Sequence, residues 1–242
     1  GLNGVGGRQG QTLIRGRGVA WLAIADRDTQ GLTVLNDWSA FGQRQTGSGT
    51  VLLENVKVPV TRVLPAWKAY LADNPRPDSA ISQFIQASID GGIAQGALEE
   101  TVSFVKTRTR AWIDSHQDHA HEDPYTRHIL GGLFARLSAC RALLDVAGQT
   151  IDAAVAHPTP DTVASAQIAT AEAKIFTTEL AIDATNRLFE LAGTAATDTR
   201  YNLDRYWRNA RTHTLHDPVR WKYAIVGDYY LNGTFPPLHA WS

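Results

Sequence analysis

Asp123-Pro124-Tyr125-Thr126-Arg127-His128-Ile129-Leu130-Gly131-Gly132-Leu133-Phe134-Ala135-Arg136-Leu137 is the stretch on which the fold turns. An aspartate accepts from the free N–H groups of a first turn, and proline suits the first helical position, so a helix begins here. Leu130, Leu133, Phe134, Leu137, Leu144, Ala147, Ile151 and Val155 then hold one face at helical spacing. The pattern stops before Pro158. Another helix starts at Asp161, after Pro160, and carries Ala169, Ala173, Phe176, Leu180, Ala184 and Leu188 as far as Gly193, a natural C-terminal stop. Upstream, a helix is expected from about Ser79 to Trp112; downstream, one over Pro218 to Leu231. Four amphipathic helices with short connections make an antiparallel bundle.

Ahead of the helices the periodicity changes. Residues 19–25, 31–35 and 49–53 are short apolar runs separated by turn residues, and Val56 and Val58 alternate with Lys57 up to Pro59, all as in strands. Residues 71–79 are polar and proline-containing, as in a linker. The reading is α+β: a flexible leader over 1–16, part of a β-domain over 17–70, and a helical bundle domain over 71–242. Gly4, Gly6, Gly7 and Gly10 lack the Gly-x-Gly-x-x-Gly spacing, and no strand precedes them, so they belong to the leader.

The composition excludes several classes. A formal net charge of -1 offers no basic surplus for nucleic acid or an anionic membrane. No apolar run approaches the roughly 20 residues that span a bilayer. Cys140 is the single cysteine, so no internal disulfide framework exists. A cytoplasmic protein is expected. The 242 residues contain no methionine, which points to a start that is not the chain's own initiator.

Three clusters carry candidate chemistry. His116-Gln117-Asp118-His119-Ala120-His121-Glu122-Asp123 has metal-ligating residue types but lies between helices with nothing rigid to fix ligand geometry, so it reads as a solvated loop and no metal site is assigned. Arg108 and Arg110, at the expected end of the first helix, suit two roles: charge at a helix C-terminus, or a guanidinium clamp on a phosphate. The densest cluster runs from Arg205 to Pro218, with three arginines, His213, His216, Asp217, a tyrosine and a tryptophan. A histidine beside a carboxylate is a tunable acid or base near neutral pH. Asp217-Pro218 is also a good helix start.

Further segments give a family resemblance. Phe41-Gly42-Gln43-Arg44-Gln45-Thr46 and Val51 to Pro59 look like paired strand motifs, Gly92-Ile93-Ala94-Gln95-Gly96-Ala97 like a helix motif, and Arg208-Asn209-Ala210-Arg211 like a late Arg-Asp-Ala-Arg motif. In this order and spacing they resemble the acyl-CoA dehydrogenase superfamily over residues 17–242. Where the dehydrogenases carry a catalytic glutamate followed by Gly-Thr, this chain reads His216-Asp217-Pro218-Val219. Arg211-Thr212-His213, His216-Asp217-Pro218 and Tyr229-Tyr230-Leu231-Asn232-Gly233 resemble instead the dibenzothiophene monooxygenase and sulfur-acquisition branch.

That resemblance implies oxygenation of a small organosulfur compound by molecular oxygen through a C4a-hydroperoxyflavin, with reduced FMN from a separate reductase, in a homotetramer. It implies His216 as the group that hydrogen-bonds flavin or peroxide, Asp217 as its orienting partner and His213 as a second catalytic candidate. Arg108, Arg110 and Trp112 lie where the family meets the flavin phosphates, and Gly193 and Thr194 where backbone approaches the flavin. The family's N-terminal helical domain and early β-strands have no counterpart here. The alternatives are an acyl-CoA dehydrogenase using FAD with Asp217 as base, and a catalytically dead domain serving assembly alone.

Overall fold

A computed structural model describes residues 11–16, 19–66, 68 and 74–239. The chain divides into two compact units, Gly1–Pro75 and Arg76–Ser242.

In the first unit, β1 (Gln11–Gly16) pairs antiparallel with β2 (Val19–Ile24), in a register that sets Gln11 opposite Ile24 and Gly16 opposite Val19. β5 (Val63–Leu64) joins the other edge of β2 antiparallel, with Leu22 opposite Leu64. β3 (Leu32–Val34) and β4 (Val51–Leu53) form a separate antiparallel pair. Two expectations are corrected here. Residues 11–16, assigned to a flexible leader, are a strand: the β-branched Thr12 and Ile14 suit a pleated ladder, and the backbone groups of the segment pair with β2. Residues 1–10 of that leader lie outside the described residues. The alternating Val56 and Val58 are not in a strand, because Asn55, two residues after β4, turns the chain with a φ of 52°.

The second unit is helical. α1 (Asp78–Thr107, 30 residues), α2 (Pro124–Ala156, 33 residues) and α3 (Pro160–Ala192, 33 residues) are its long members. Asp123 caps α2 by accepting from the Tyr125 N–H at 2.9 Å, ahead of Pro124. Thr159 caps α3 by accepting from the Thr162 N–H at 3.2 Å. A short helix that was not expected, α4 (Asp204–His213, 10 residues), precedes α5 (Arg220–Asn232, 13 residues), which is the expected fourth helix, so among the described residues three long helices and two short ones stand where four were expected. α1 ends at Thr107 and not near Trp112: the Thr109 hydroxyl donates to the Ala192 carbonyl at 3.2 Å and draws the chain across the end of α3.

α3 is the axis on which the others pack. Its alanines at 164, 166, 171, 173, 181, 184 and 192 are buried and let neighbouring backbones approach closely. Ala94, Leu98, Leu133, Leu137, Cys140, Leu180, Ala181, Ala184 and Ala210 form one core cluster shared by α1, α2, α3 and α4. α5 is tied down by the Tyr230 hydroxyl, which donates to Glu172 at 3.0 Å, and by the Tyr223 hydroxyl on Glu179. Among the described residues, no helix is long and apolar enough to cross a membrane.

Candidate functional site

The seam between α1 and α3 is polar as well as apolar. Ser79 and Gln167 meet at 3.2 Å, Gln83 and Lys174 at 2.7 Å, and Asp90 and Thr178 at 2.9 Å, so α1 and α3 run parallel, their partners 88 to 91 residues apart. All six side chains are buried. Buried polar groups require partners, and two of these groups find theirs at the end of α4 and in the turn that links it to α5.

The first is Asp90, whose side chain is 1% exposed. One carboxylate oxygen accepts from the Thr178 hydroxyl, and the other lies 2.6 Å from Nδ1 of His213, the last residue of α4. The second is Lys174, whose ammonium donates to Gln83 and to Oδ1 of Asp217. The same Asp217 oxygen lies 3.2 Å from Nδ1 of His216. A carboxylate accepts and does not donate, so in each pair Nδ1 carries the proton and Nε2 is the ring nitrogen that the carboxylate does not engage. The two histidines differ in access: the His216 side chain is 47% exposed, the His213 side chain 11%.

Asp217 has a pKa of about 2, below the ordinary 3.8. Burial pushes it up, but hydrogen bonds from His216 and Lys174, with the positive charges of Lys174 and Lys222, override that. Lys222, 3% exposed on α5, is pushed down to about 8, chiefly by burial and further by Lys174, against the attraction of Asp217. A cavity of about 530 Å³ opens beside this cluster, walled by Pro218, Trp221, Ala224 and Ile225 and reached by Asp217 and Lys222. A carboxylate held near 2 and bonded to an ammonium is a poor proton acceptor at neutral pH, which counts against Asp217 as a catalytic base.

The other expected residues gather at the opposite end of the seam. Arg108, the C-cap of α1, stacks its guanidinium 4.9 Å from the Tyr201 ring centroid, with Nη1 3.3 Å from the Tyr201 hydroxyl. Arg110 is exposed, as is Trp112, whose indole N–H donates to Asp114 at 3.0 Å. Gly193 ends α3 at φ 76° and ψ -175°, a conformation open in practice to glycine alone, with open space where a side chain would stand. Thr194 begins the turn that follows. Lys174 and Ala192 stand about 27 Å apart along α3 at the helical rise per residue. One chain therefore brings His216 and Asp217 into contact, with His213 four residues or fewer away in sequence, and sets the end of α1 beside the end of α3 through the Thr109–Ala192 bond, but does not join the two groups.

The loop over residues 116–123 spends its polar groups on capping: the His119 N–H donates to Glu122 at 3.0 Å, and the His119 and His121 rings stack at 5.2 Å. Among the described residues, no group of three or more His, Cys, Asp or Glu side chains is placed to hold a metal ion. Sequence reasoning missed Lys174, Gln83, Asp90 and Lys222. A signal was present in the first three: each recurs at helical spacing with other polar residues, Gln83 and Asp90 with Ser79, and Lys174 with Gln167, Thr170 and Thr178.

A family model of the acyl-CoA dehydrogenase C-terminal domain matches residues 84–221. A dibenzothiophene monooxygenase of Mycolicibacterium goodii is 37% identical over 86% of this chain and 52% of its own length. A probable FMNH2-dependent monooxygenase of Pseudomonas putida, SfnC, is 34% identical over 92% of this chain and 57% of its own length. The crystal structure of FMN-bound TdsC from Paenibacillus sp. A11-2 superposes with a TM-score of 0.88 at 34% identity, covering 94% of this chain and 59% of that one. The chain thus spans about half the length of the curated relatives it matches.

Proposed function

The chain belongs to the acyl-CoA dehydrogenase family through its C-terminal domain, and from that premise we propose that it serves a flavin-dependent monooxygenase of small organosulfur compounds, with FMN as the flavin. Its similarity to a dibenzothiophene monooxygenase and to a probable FMNH2-dependent monooxygenase supports the reaction class. The observation that carries the reading is the half-exposed His216 ring seated on the buried Asp217. A dehydrogenase base at that place would need a free carboxylate, and Asp217 is tied through Oδ1 to both Lys174 and His216 and held as an anion.

The residues present fit FMN. Arg108 and Arg110 offer two guanidiniums to a phosphate, Trp112 an exposed indole, and Gly193 and Thr194 a backbone with open space above it. Reduced FMN, delivered by a separate reductase, supplies the electrons that activate molecular oxygen. His216 presents Nε2 as the hydrogen-bonding atom toward the reacting oxygen. Asp217 holds the Nδ1 proton and the ring plane. His213, fixed by Asp90, supports the same face from deeper in the seam. The cavity beside Asp217 is of a size for a small organosulfur compound, and its apolar walls suit one. Because the arginine end and the histidine end are so far apart in one chain, the flavin is shared between subunits of a homotetramer.

The test is His216→Ala in the full-length protein supplied with reduced FMN. Oxygen consumption should persist, while hydrogen peroxide replaces the oxygenated sulfur product. Asp217→Asn should give a milder form of the same uncoupling. Unchanged coupling in His216→Ala would remove the reading, and loss of all oxygen consumption in the wild type would favour a role in assembly alone.

A further inference from the structure

We propose that Lys174 is a positioning residue for His216, anchoring through Asp217 the ring that the functional reading places at the reacting oxygen. The inference rests on that reading. His216 and Asp217 lie in the short turn between α4 and α5, where no helix fixes either side chain. An imidazole in such a turn, half open to solvent, samples several rotamers and both tautomers. Something outside the turn must hold it. Lys174 comes from the middle of α3, the most buried helix, and its side chain is 4% exposed. It reaches neither solvent nor a substrate. Its ammonium donates to one Asp217 oxygen and to Gln83 Oε1 at 2.7 Å, so α1 and α3 together fix where that oxygen stands. The same oxygen receives His216 Nδ1.

Energetics favour positioning over stability as the role. Taking an ammonium and a carboxylate out of water costs about what their attraction returns, and an apolar pair of the same size is often as stable. What a buried pair supplies is a fixed direction. Lys222 approaches the same carboxylate from α5, so Asp217 is held as an anion from two helices. An anion at that point keeps the Nδ1 tautomer of His216 and turns Nε2 outward.

The test uses the full-length protein with 15N-labelled histidine, followed by NMR without flavin and by product and peroxide assays with reduced FMN. Wild type should show His216 protonated at Nδ1. Lys174→Met should shift the ring toward the Nε2-protonated tautomer and lower the product-to-peroxide ratio by roughly tenfold, the scale of one charge-assisted hydrogen bond. Lys174→Met combined with Asp217→Asn should be no worse than the worse single variant, since both act along one path. If Lys174→Met does not fold by circular dichroism, Gln83→Leu removes one hold on the ammonium and should move tautomer and ratio the same way by less. A folded variant with wild-type tautomer and ratio overturns the inference, as does full additivity of the double variant. Retained coupling in His216→Ala would remove the functional reading, while a tautomer shift in Lys174→Met would still establish the positioning.

Discussion

Asp217 and Lys222 tie the candidate site to pH in opposite senses. The pKa of Asp217 falls from 3.8 to about 2 on folding. A depressed carboxylate contributes stability that is fully present above its unfolded value and is lost as pH falls through its folded one. The contribution is on the order of 2 kcal/mol. The advantage of wild type over Asp217→Asn, measured by urea unfolding, should therefore be constant above about pH 5 and shrink toward pH 2. Lys222 works the other way: with a folded value of about 8 against 10.5, its burial penalty is full below pH 8 and relaxes as pH climbs toward 10.5. At this scale the sequence showed part of the site. His216, Asp217 and His213 stood out because histidine, aspartate and arginine crowd one short segment. Lys174 did not, because a single lysine in a helix ordinarily faces water, and only its spacing from Gln167, Thr170 and Thr178 betrays a buried stripe. His213, ranked behind His216, turned out to have the shorter carboxylate contact, since Asp90 lies far away in sequence.

At the scale of elements, α4 decides where His213 and the following turn are seated. It docks where α1 has Gly96: a Cβ there would come 3.1 Å from the Tyr206 ring. Beside it, Arg205 meets Glu100 at 3.2 Å and Tyr206 at 2.9 Å. Gly96→Ala should be nearly neutral, because about 1 kcal/mol of helix propensity offsets the small shift asked of Tyr206. Gly96→Leu should push α4 off its seat, cost about 1–3 kcal/mol in thermal unfolding, and uncouple the reaction with every histidine intact. α2 and α3 were legible from capping residues and apolar periodicity. α4 was not, because Ala210 is its only buried residue and a ten-residue helix of arginines and aromatics has no apolar stripe to read. The early end of α1 was also hidden, since it is set by a hydrogen bond from Thr109 to a distant carbonyl and not by a glycine or proline.

For the whole molecule, the α1 surface bears on assembly. Ile81, Ile85 and Ile89 are 36%, 53% and 40% exposed and recur every four residues, which places them on one helical stripe. A row of large apolar side chains in water marks a contact surface. With the shared flavin proposed above, it fits a homotetramer. Ile85→Glu should leave the helical content unchanged and lower the sedimentation coefficient from that of a tetramer; an unchanged coefficient would exclude this face from assembly. The α+β arrangement was readable because period-two and period-3.6 patterns meet at one polar break. How many helices close the bundle was not, because α4 is fastened by polar tyrosine and arginine contacts that leave no periodic trace.

The composition and the seat of Cys140 bear on how such a chain would survive the chemistry proposed for it. An enzyme that handles activated oxygen, and leaks peroxide when uncoupled, endangers its own sulfur first. Thioethers are absent, since the 242 residues include no methionine. The one thiol is 1% exposed among core leucines, and burial raises its pKa, against a smaller opposite pull from Arg136, so the reactive thiolate is scarce. Along these 242 residues an oxidant meets carbon, nitrogen and oxygen, and under the proposed function a sulfur substrate in the cavity would be the softest target within reach.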